Sequence, residues 1–489
     1  MTSVLILLAG LPRSATDKSS ALRRLWRAVA CFGVLTFLLN AAVAADLREL
    51  WKDRLKSVVA VEFFTESELD RRPTVTNGVV ADDQGLIIVQ AGAMNPRFAP
   101  DQFKDFRVYL PGEPPQRFWS AVYLGQDVLS GWHFLRVVED MRPFLAPITR
   151  FVADRSRNSD SVQIAQRVWG IGLRGKDEDF MPYFLEAPIG LIQTLPQRSA
   201  ICLDDITAPG LPVFDEKGAF AGLGIAGFGQ TYMQFSQRDR GGAAVVMVNI
   251  GETSAFLLAA EVLPYLGRIP TDIFGRPVPW LGAHGLQPID PEVLTFLKLD
   301  SGCVVSEVLA GSPAEKAGMK DRDMIVAIDG KPLPRLKPDR VVVAYVQREI
   351  SRRRPGDGVA LAVQRGNERL DFQVTLVEEP KMAREASRSY FERLGFTARE
   401  FVYADGVGRR APVAEHTGVV AHFVKANSPA ATAGLGMDDW IKEIDGIPVA
   451  TYADAAAQLS AIEKDLARVE AVLLIRRGGE TQVLRIKLK

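Results

Sequence analysis

The sequence predicts a mainly β protein: one domain of two β-barrels, followed by two α+β domains in tandem. Three observations carry this. Residues 47–265 hold many short β-rich runs separated by turn signals, with little helical periodicity. In the C-terminal half, Ser312-Pro313-Ala314 returns as Ser428-Pro429-Ala430 and Asp329-Gly330 returns as Asp445-Gly446, both 116 residues later, while Leu281-Gly282 returns as Leu394-Gly395, 113 residues later. A repeat of that size is a whole domain, far longer than a solenoid unit. The length, 489 residues, fits about three domains.

Composition narrows the function. Apolar residues make up 47% and charged residues 24%, ordinary for a globular chain. Lys+Arg and Asp+Glu are both 59, so no basic excess points to nucleic acid. Three cysteines without a CxxC spacing exclude a disulfide framework and a structural zinc site. The four histidines, at 133, 284, 416 and 422, are scattered. No metal and no cofactor is expected from these residues.

Residues 1–44 read as an export signal. Arg23, Arg24 and Arg27 precede an apolar stretch from Ala28 to Ala44, which ends in Ala42-Val43-Ala44. Basic flank, apolar core and small-residue exit are the parts of a cleaved secretory signal. An uncleaved anchor over 28–44 is the alternative, although 17 residues is short for a span. The chain from 45 onward carries 54 basic and 58 acidic groups. That balance favours neither nucleic acid nor an anionic membrane surface. Cys202 and Cys303 fall in different domains and read as small buried thiols.

The expected order is a barrel domain over 45–270, a first α+β domain over 279–380, a linker helix over 381–392 and a second α+β domain over 393–489. In the first unit Ser312 suits an N-cap, Pro313 the first helical position, and Glu315 a capping box. Gly318 can end that short helix in a left-handed conformation. Met324 to Ile328 is a strand closed by the turn Asp329-Gly330. A long helix from about Pro338 to Arg353 follows, with Val342, Val343, Val346 and Ile350 on one side. A hairpin with its turn at Arg365-Gly366-Asn367 completes the unit. The second unit repeats the order: a helix from Ser428, a strand over Trp440–Ile444, a helix over Asp454–Leu466 and a hairpin around Gly478-Gly479. Arg352-Arg353-Arg354 ends the first long helix, where basic groups suit the dipole.

Both units resemble the PDZ domain, through the S-P-A-x-x-A-G-[LM] helix and the following strand that ends in Asp-Gly. That resemblance implies a carboxylate-binding loop at Leu281-Gly282-Ala283 and at Leu394-Gly395-Phe396. Backbone N–H groups of such a turn converge into an anion nest, and a peptide pairs beside it as an added strand. The last side chain would then enter a pocket lined by Leu281, Val342 and Val346 in the first unit. In the second, Leu394, Phe396, Ala456 and Leu459 would line it.

The strand-rich domain ahead of these units completes a second resemblance. Asn77 to Ile88, Gly131 to Val137 and Thr207 to Gly218 look like three segments of the HtrA/Deg envelope proteases, which carry a trypsin-like double β-barrel before their PDZ domains. The resemblance puts Gly92 at the catalytic His position, Gly131 at the Asp position and Pro209 at the Ser position. Acyl transfer needs a nucleophile, a base and a group that orients the base, and Gly and Pro supply none. Pro209 also lacks a backbone N–H for an oxyanion. His133 and Ser199 have no visible partner constellation, and Asp204-Asp205 reads as a solvated pair. The expectation is an exported pseudoprotease whose PDZ domains bind C-termini or extended segments of envelope proteins. The alternatives are an active endopeptidase with a non-standard site and a regulatory subunit of an active paralogue. By resemblance the expected assembly is a trimer.

Overall fold

In the computed structural model the described residues are 48–140, 143–152, 162–194, 197–225, 231–236, 244–249 and 254–488. The export signal over 1–44 lies outside them. After a short helix α1 over residues 48–55, six strands form a closed barrel: β1 (Val58–Glu66), β2 (Arg71–Val80), β3 (Leu86–Val89), β4 (Phe103–Tyr109), β5 (Trp119–Gln126) and β6 (His133–Val137). They pair in the order β1-β2-β3-β6-β5-β4. A second closed barrel uses β7 (Arg167–Leu173), β8 (Pro182–Gln193), β9 (Ser199–Cys202), β10 (Pro212–Asp215), β11 (Phe220–Ile225) and β14 (Ser254–Leu258). Among the described residues the strands β12 (Thr231–Ser236) and β13 (Ala244–Asn249) pair with each other and with no other strand. Among the described residues β13 is thus a strand, but not a stave of the barrel.

β1 shows why the first barrel strands are apolar along both faces. Val59, Val61 and Phe63 point into the first barrel, with Ile87, Val108 and Leu135. Val58 points the other way, into a core shared with Phe214, Leu223 and Leu257 of the second barrel. Alternate residues of one strand face opposite sides, so a strand wedged between two cores loses its polar face. The first strand of the second barrel begins at Arg167. The barrels are also pinned by Glu62, buried at the end of the first. It accepts from Tyr109 at 2.7 Å and from Lys176, in a loop of the second barrel, at 2.6 Å. Burial alone would push the Glu62 carboxyl up; the hydrogen bonds from Lys176 and Tyr109 outweigh it and hold the group below its usual range.

Helix α2 (Ala259–Val262) leads to the first α+β domain. Its elements are β15 (Pro279–Trp280), β16 (Ala283–His284), β17 (Gln287–Pro288), α3 (Pro291–Leu297), β18 (Cys303–Val304), β19 (Glu307–Val308), α4 (Pro313–Lys316), β20 (Met324–Ile328), β21 (Lys331–Pro332), α5 (Val341–Ser351), β22 (Gly358–Arg365), β23 (Glu368–Thr375) and β24 (Val377–Glu378). The second domain has β25 (Arg388–Phe391), β26 (Phe396–Glu400), α6 (Tyr403–Gly408), β27 (Val419–Val424), α7 (Pro429–Thr432), β28 (Trp440–Ile444), β29 (Ile447–Pro448), α8 (Tyr452–Lys464), β30 (Glu470–Arg477) and β31 (Glu480–Lys487).

Local signals predict most of these. Ser312 and Ser428 cap α4 and α7 through their hydroxyls, each with Pro at the first position. The capping box differs from expectation: the Glu315 carboxylate accepts from Gly311 N rather than from Ser312 N. Val342, Val346 and Ile350 are the inward face of α5, with Val341 beside them. The expected linker helix over 381–392 does not form. A single 3-10 turn at Ala383–Glu385 is followed by β25, which pairs with β26. A mixed, charged segment carries little propensity of its own, so the available edge of β26 decides its conformation. Helix α8 starts two residues earlier than expected, at Tyr452, because Thr451 and Asp454 form the capping box.

Candidate functional sites: the barrel loops and the two nest loops

The loops that carry Gly92, Gly131 and Pro209 converge at one end of the β3–β6 pair. Val89 faces His133 across that ladder, so the chain just beyond β3 and the chain just before β6 lie together. Gly92 sits in a 3-10 turn, exposed, and a Cβ built on it would meet nothing within 4 Å. It borders a cleft of about 960 Å³ lined by Phe63, Thr65, Thr74, Met94 and Phe98. Gly131 occupies a tight turn at φ 73° whose N–H donates to Asp127 O at 2.7 Å.

Pro209 and Gly210 are the central pair of a turn in which Leu211 N–H donates to Ala208 O at 3.0 Å. Gly210 has φ 84°, and Pro then positive-φ Gly is the type II signature. Gly210 packs on the end of β3: a Cβ there would lie 3.2 Å from Gln90 Cβ. In a trypsin-like site the oxyanion donors are the N–H of the nucleophile and of the residue two before it. The resemblance would put those positions at Pro209, which has no N–H, and at Thr207, whose N–H donates to the buried Ser254 hydroxyl at 3.3 Å. That hydroxyl also takes Ile206 N–H at 3.0 Å and itself donates to Asp205 at 3.2 Å. Ser254 and its role escape a reading of the sequence, because it acts from the opposite strand β14.

His133 and Ser199 have hydrogen-bond partners in the barrels. His133 is buried on β6, with Nδ1 2.9 Å from the Tyr123 hydroxyl. Ser199 is buried on β9 in the other barrel and reaches Gln193 at 3.5 Å. Asp204 and Asp205 are exposed. Cys202 and Cys303 are buried free thiols, as expected, and burial pushes them up to about 11 and about 12.

The nest loops come next. In the first unit Gly282 has φ 83°, and a Cβ on it would fall 2.1 Å from Ser312 Cβ. In the second, Gly395 has φ 80° and the same overlap, 2.2 Å, with Ser428. Only glycine fits either position. Among the described residues the N–H groups of Leu281 and Gly282 donate to nothing. Ala283 and His284 of β16 pair only with β19. Leu281, Val342 and Val346 belong to one core, so the two valines are packed walls behind the edge rather than an open surface.

The second loop is arranged differently. Leu394 N–H and Arg393 N–H donate to the Glu463 carboxylate of α8 at 2.8 and 3.1 Å. Gly395 N–H donates to Phe391 O at 2.7 Å. β26 is paired on both edges, by β25 and by β27. Leu394, Phe396 and Leu459 are core residues together with Ala455, which takes the place expected of the half-buried Ala456.

A protein-family profile described as PDZ domain matches residues 293–376. DegQ of Escherichia coli strain K12, named a periplasmic pH-dependent serine endoprotease, is 30% identical over 251 residues, 50% of this chain and 48% of its own length. A probable periplasmic serine endoprotease, DegP-like, of Chlamydia trachomatis is 28% identical over 41% of this chain and 38% of its own. The chain is similar to serine endoproteases of the HtrA/DegP type and carries a PDZ-domain match. The matched stretch spans less than half the length of either relative. Among solved structures, the HtrA-type protease AlgW with tripeptide covers 68% of this chain and 97% of its own, with a TM-score of 0.45 and 16% identity. Among the described residues no helix is long and apolar enough to cross a membrane.

Proposed function

We propose that this HtrA/DegP-like protein is an exported pseudoprotease that captures exposed apolar C-termini or extended segments of envelope proteins, as a chaperone, adaptor or scaffold. The observation that carries the reading is the state of the vacated site. By the resemblance Gly92, Gly131 and Pro209 fall at the His, Asp and Ser positions, and the reading is supported by the lack of a free N–H at the corresponding oxyanion positions: Pro209 has none and Thr207 gives its own to Ser254. A protease stripped of its triad keeps about 10³–10⁴-fold over water only through its oxyanion hole and binding. Here that route is closed as well. The open edge of β16 beside the unengaged Leu281 and Gly282 N–H groups supports the peptide-binding half of the reading.

The names of its relatives favour a competing reading, an active endopeptidase. Casein cleavage by residues 45–489, with labelling by a serine-directed fluorophosphonate, separates the two. The expected outcome is neither cleavage nor label, against a positive control with an intact triad. Cleavage that survives repurification and is abolished by the probe establishes the enzyme, and the labelled serine locates its site. An active paralogue recovered with the chain on pull-down would instead favour a regulatory subunit.

A further inference from the structure

We infer that the second PDZ-like unit carries its own ligand, and that peptide capture belongs to the first unit alone. The inference deepens the peptide-binding reading above and rests on it for what the first unit does. Strand addition beside an anion nest needs three things: a free strand edge, free N–H donors for a carboxylate, and a pocket for the last apolar side chain. In the second unit all three are filled by residues of this chain.

The edge is filled by β25. It runs antiparallel to β26, with Arg388 opposite Arg399 and Phe391 opposite Phe396. Its C-terminal end therefore lies at the loop, as the end of an added peptide would. It also lies against α8, since the helix packs on both β25 and β26, and the Ser389 and Tyr452 hydroxyls meet at 2.7 Å. The pocket is filled by Phe391. Its ring is buried in one core with Leu394, Phe396, Leu459 and Ile462. The nest is filled by Glu463, whose two carboxylate oxygens take the Leu394 and Arg393 N–H groups separately. A terminal carboxylate would make those same charge-assisted bonds.

The loop is locked as well as filled. The Arg393 guanidinium donates to Ile462 O, Asp465 O and Arg468 O around the C-terminal end of α8, where a cation is favoured. Arg388, on the filling strand, reaches Asp101 of the first barrel at 2.6 Å, and Thr397 donates to Glu68 at 2.8 Å. The strand that closes the groove thereby also ties the second unit to the barrel domain. In the first unit the chain entering the loop goes elsewhere: β15 pairs with β24 and leaves β16 uncovered.

Hydrogen exchange on residues 45–489 tests this, with and without a synthetic decapeptide ending in a free apolar residue. In the free protein, slow exchange is expected at Arg393, Leu394 and across 388–391. Glu463→Ala should speed exchange at Arg393 and Leu394 about tenfold, with Glu463→Gln intermediate. The decapeptide should bind once per chain and slow exchange around 281–284, while 388–396 stays unchanged. Fast exchange at Leu394 in the free protein overturns the inference. So does protection gained at 388–396 on adding peptide, or binding of two peptides per chain. If the peptide changes neither region, the peptide-capture reading fails instead, and the free-protein and Glu463 arms still decide whether the second unit is self-occupied.

Discussion

The two C-terminal units share a frame residue by residue and part at one loop. In both, a serine caps the short helix, and the loop leucine carbonyl accepts from the helix: Ala314 N–H to Leu281 O and Ala430 N–H to Leu394 O, each at 3.0 Å. Both bury an aspartate under an arginine of the closing hairpin, Asp323 with Arg365 and Asp439 with Arg477. Both turn through a left-handed Asp-Gly pair, Asp329-Gly330 and Asp445-Gly446. Around that frame one unit keeps its strand edge open and the other fills it. A fold built for strand addition is stable with the added strand in place, whether the strand arrives from a partner or from the chain itself. The frame therefore identifies the domain type, and the residues bordering the loop decide whether it has a vacancy.

The largest expected effect comes from the two loop glycines. A valine at 282 or 395 must hold a left-handed φ and overlap a buried serine. Each should cost about 3 kcal/mol of domain stability, read by thermal unfolding of residues 45–489. Gly282→Val should also abolish binding of the apolar-ended peptide, whereas Gly395→Val should leave it in place. Equal loss of binding in the two variants would break the asymmetry between the units.

Next comes Phe391. Its truncation to Ala leaves a cavity in a core closed by Phe396, Leu459 and Ile462, with an expected cost of about 3 kcal/mol. If β25 were a surface strand laid over a complete domain, the cost would fall below about 1 kcal/mol, within the range of surface substitutions. Denaturant unfolding followed by Trp440 fluorescence reads the difference, because that indole is buried in the same unit.

What the sequence discloses of this protein follows the range of the interactions involved. The N-caps at Ser312 and Ser428, the Asp-Gly turns and most barrel strands are local patterns, and they stand where their residues predict. β25 is not local. Residues 381–393 mix charges and aromatics without a clear period, and only the edge of β26 makes four of them a strand. Ala455 rather than Ala456 reaches the core because a run of alanines carries no phase, and the cap at Thr451 sets it. Glu463 was accessible in principle: it lies four residues after Leu459, hence on the same face of α8. As a carboxylate on a helix it reads as a solvated residue until the loop beneath it is seen. In the barrels, the proposal that 92, 131 and 209 lack catalytic side chains comes from the sequence through resemblance, but the hydroxyl that occupies Thr207 N–H comes from a strand 47 residues away.

The smallest expected effect falls on the feature the two units share most closely. Ser312→Ala and Ser428→Ala each remove an N-cap, a loss of about 1 kcal/mol. The two should not be identical. Ser312 accepts from Glu315 N–H alone, and the neighbouring Gly311 N–H is held separately by the Glu315 carboxylate at 2.6 Å. Ser428 accepts from Ala431 N–H and also donates to Gly395 O at 3.2 Å, so its hydroxyl ties the cap to the nest loop. Ser428→Ala should therefore exceed Ser312→Ala by about 0.5 kcal/mol, the low end for one net hydrogen bond, and should loosen amide exchange at Leu394 where Ser312→Ala leaves that amide unchanged. Equal effects at both serines would mean that the filled loop is held by Glu463 and β25 without help from the cap.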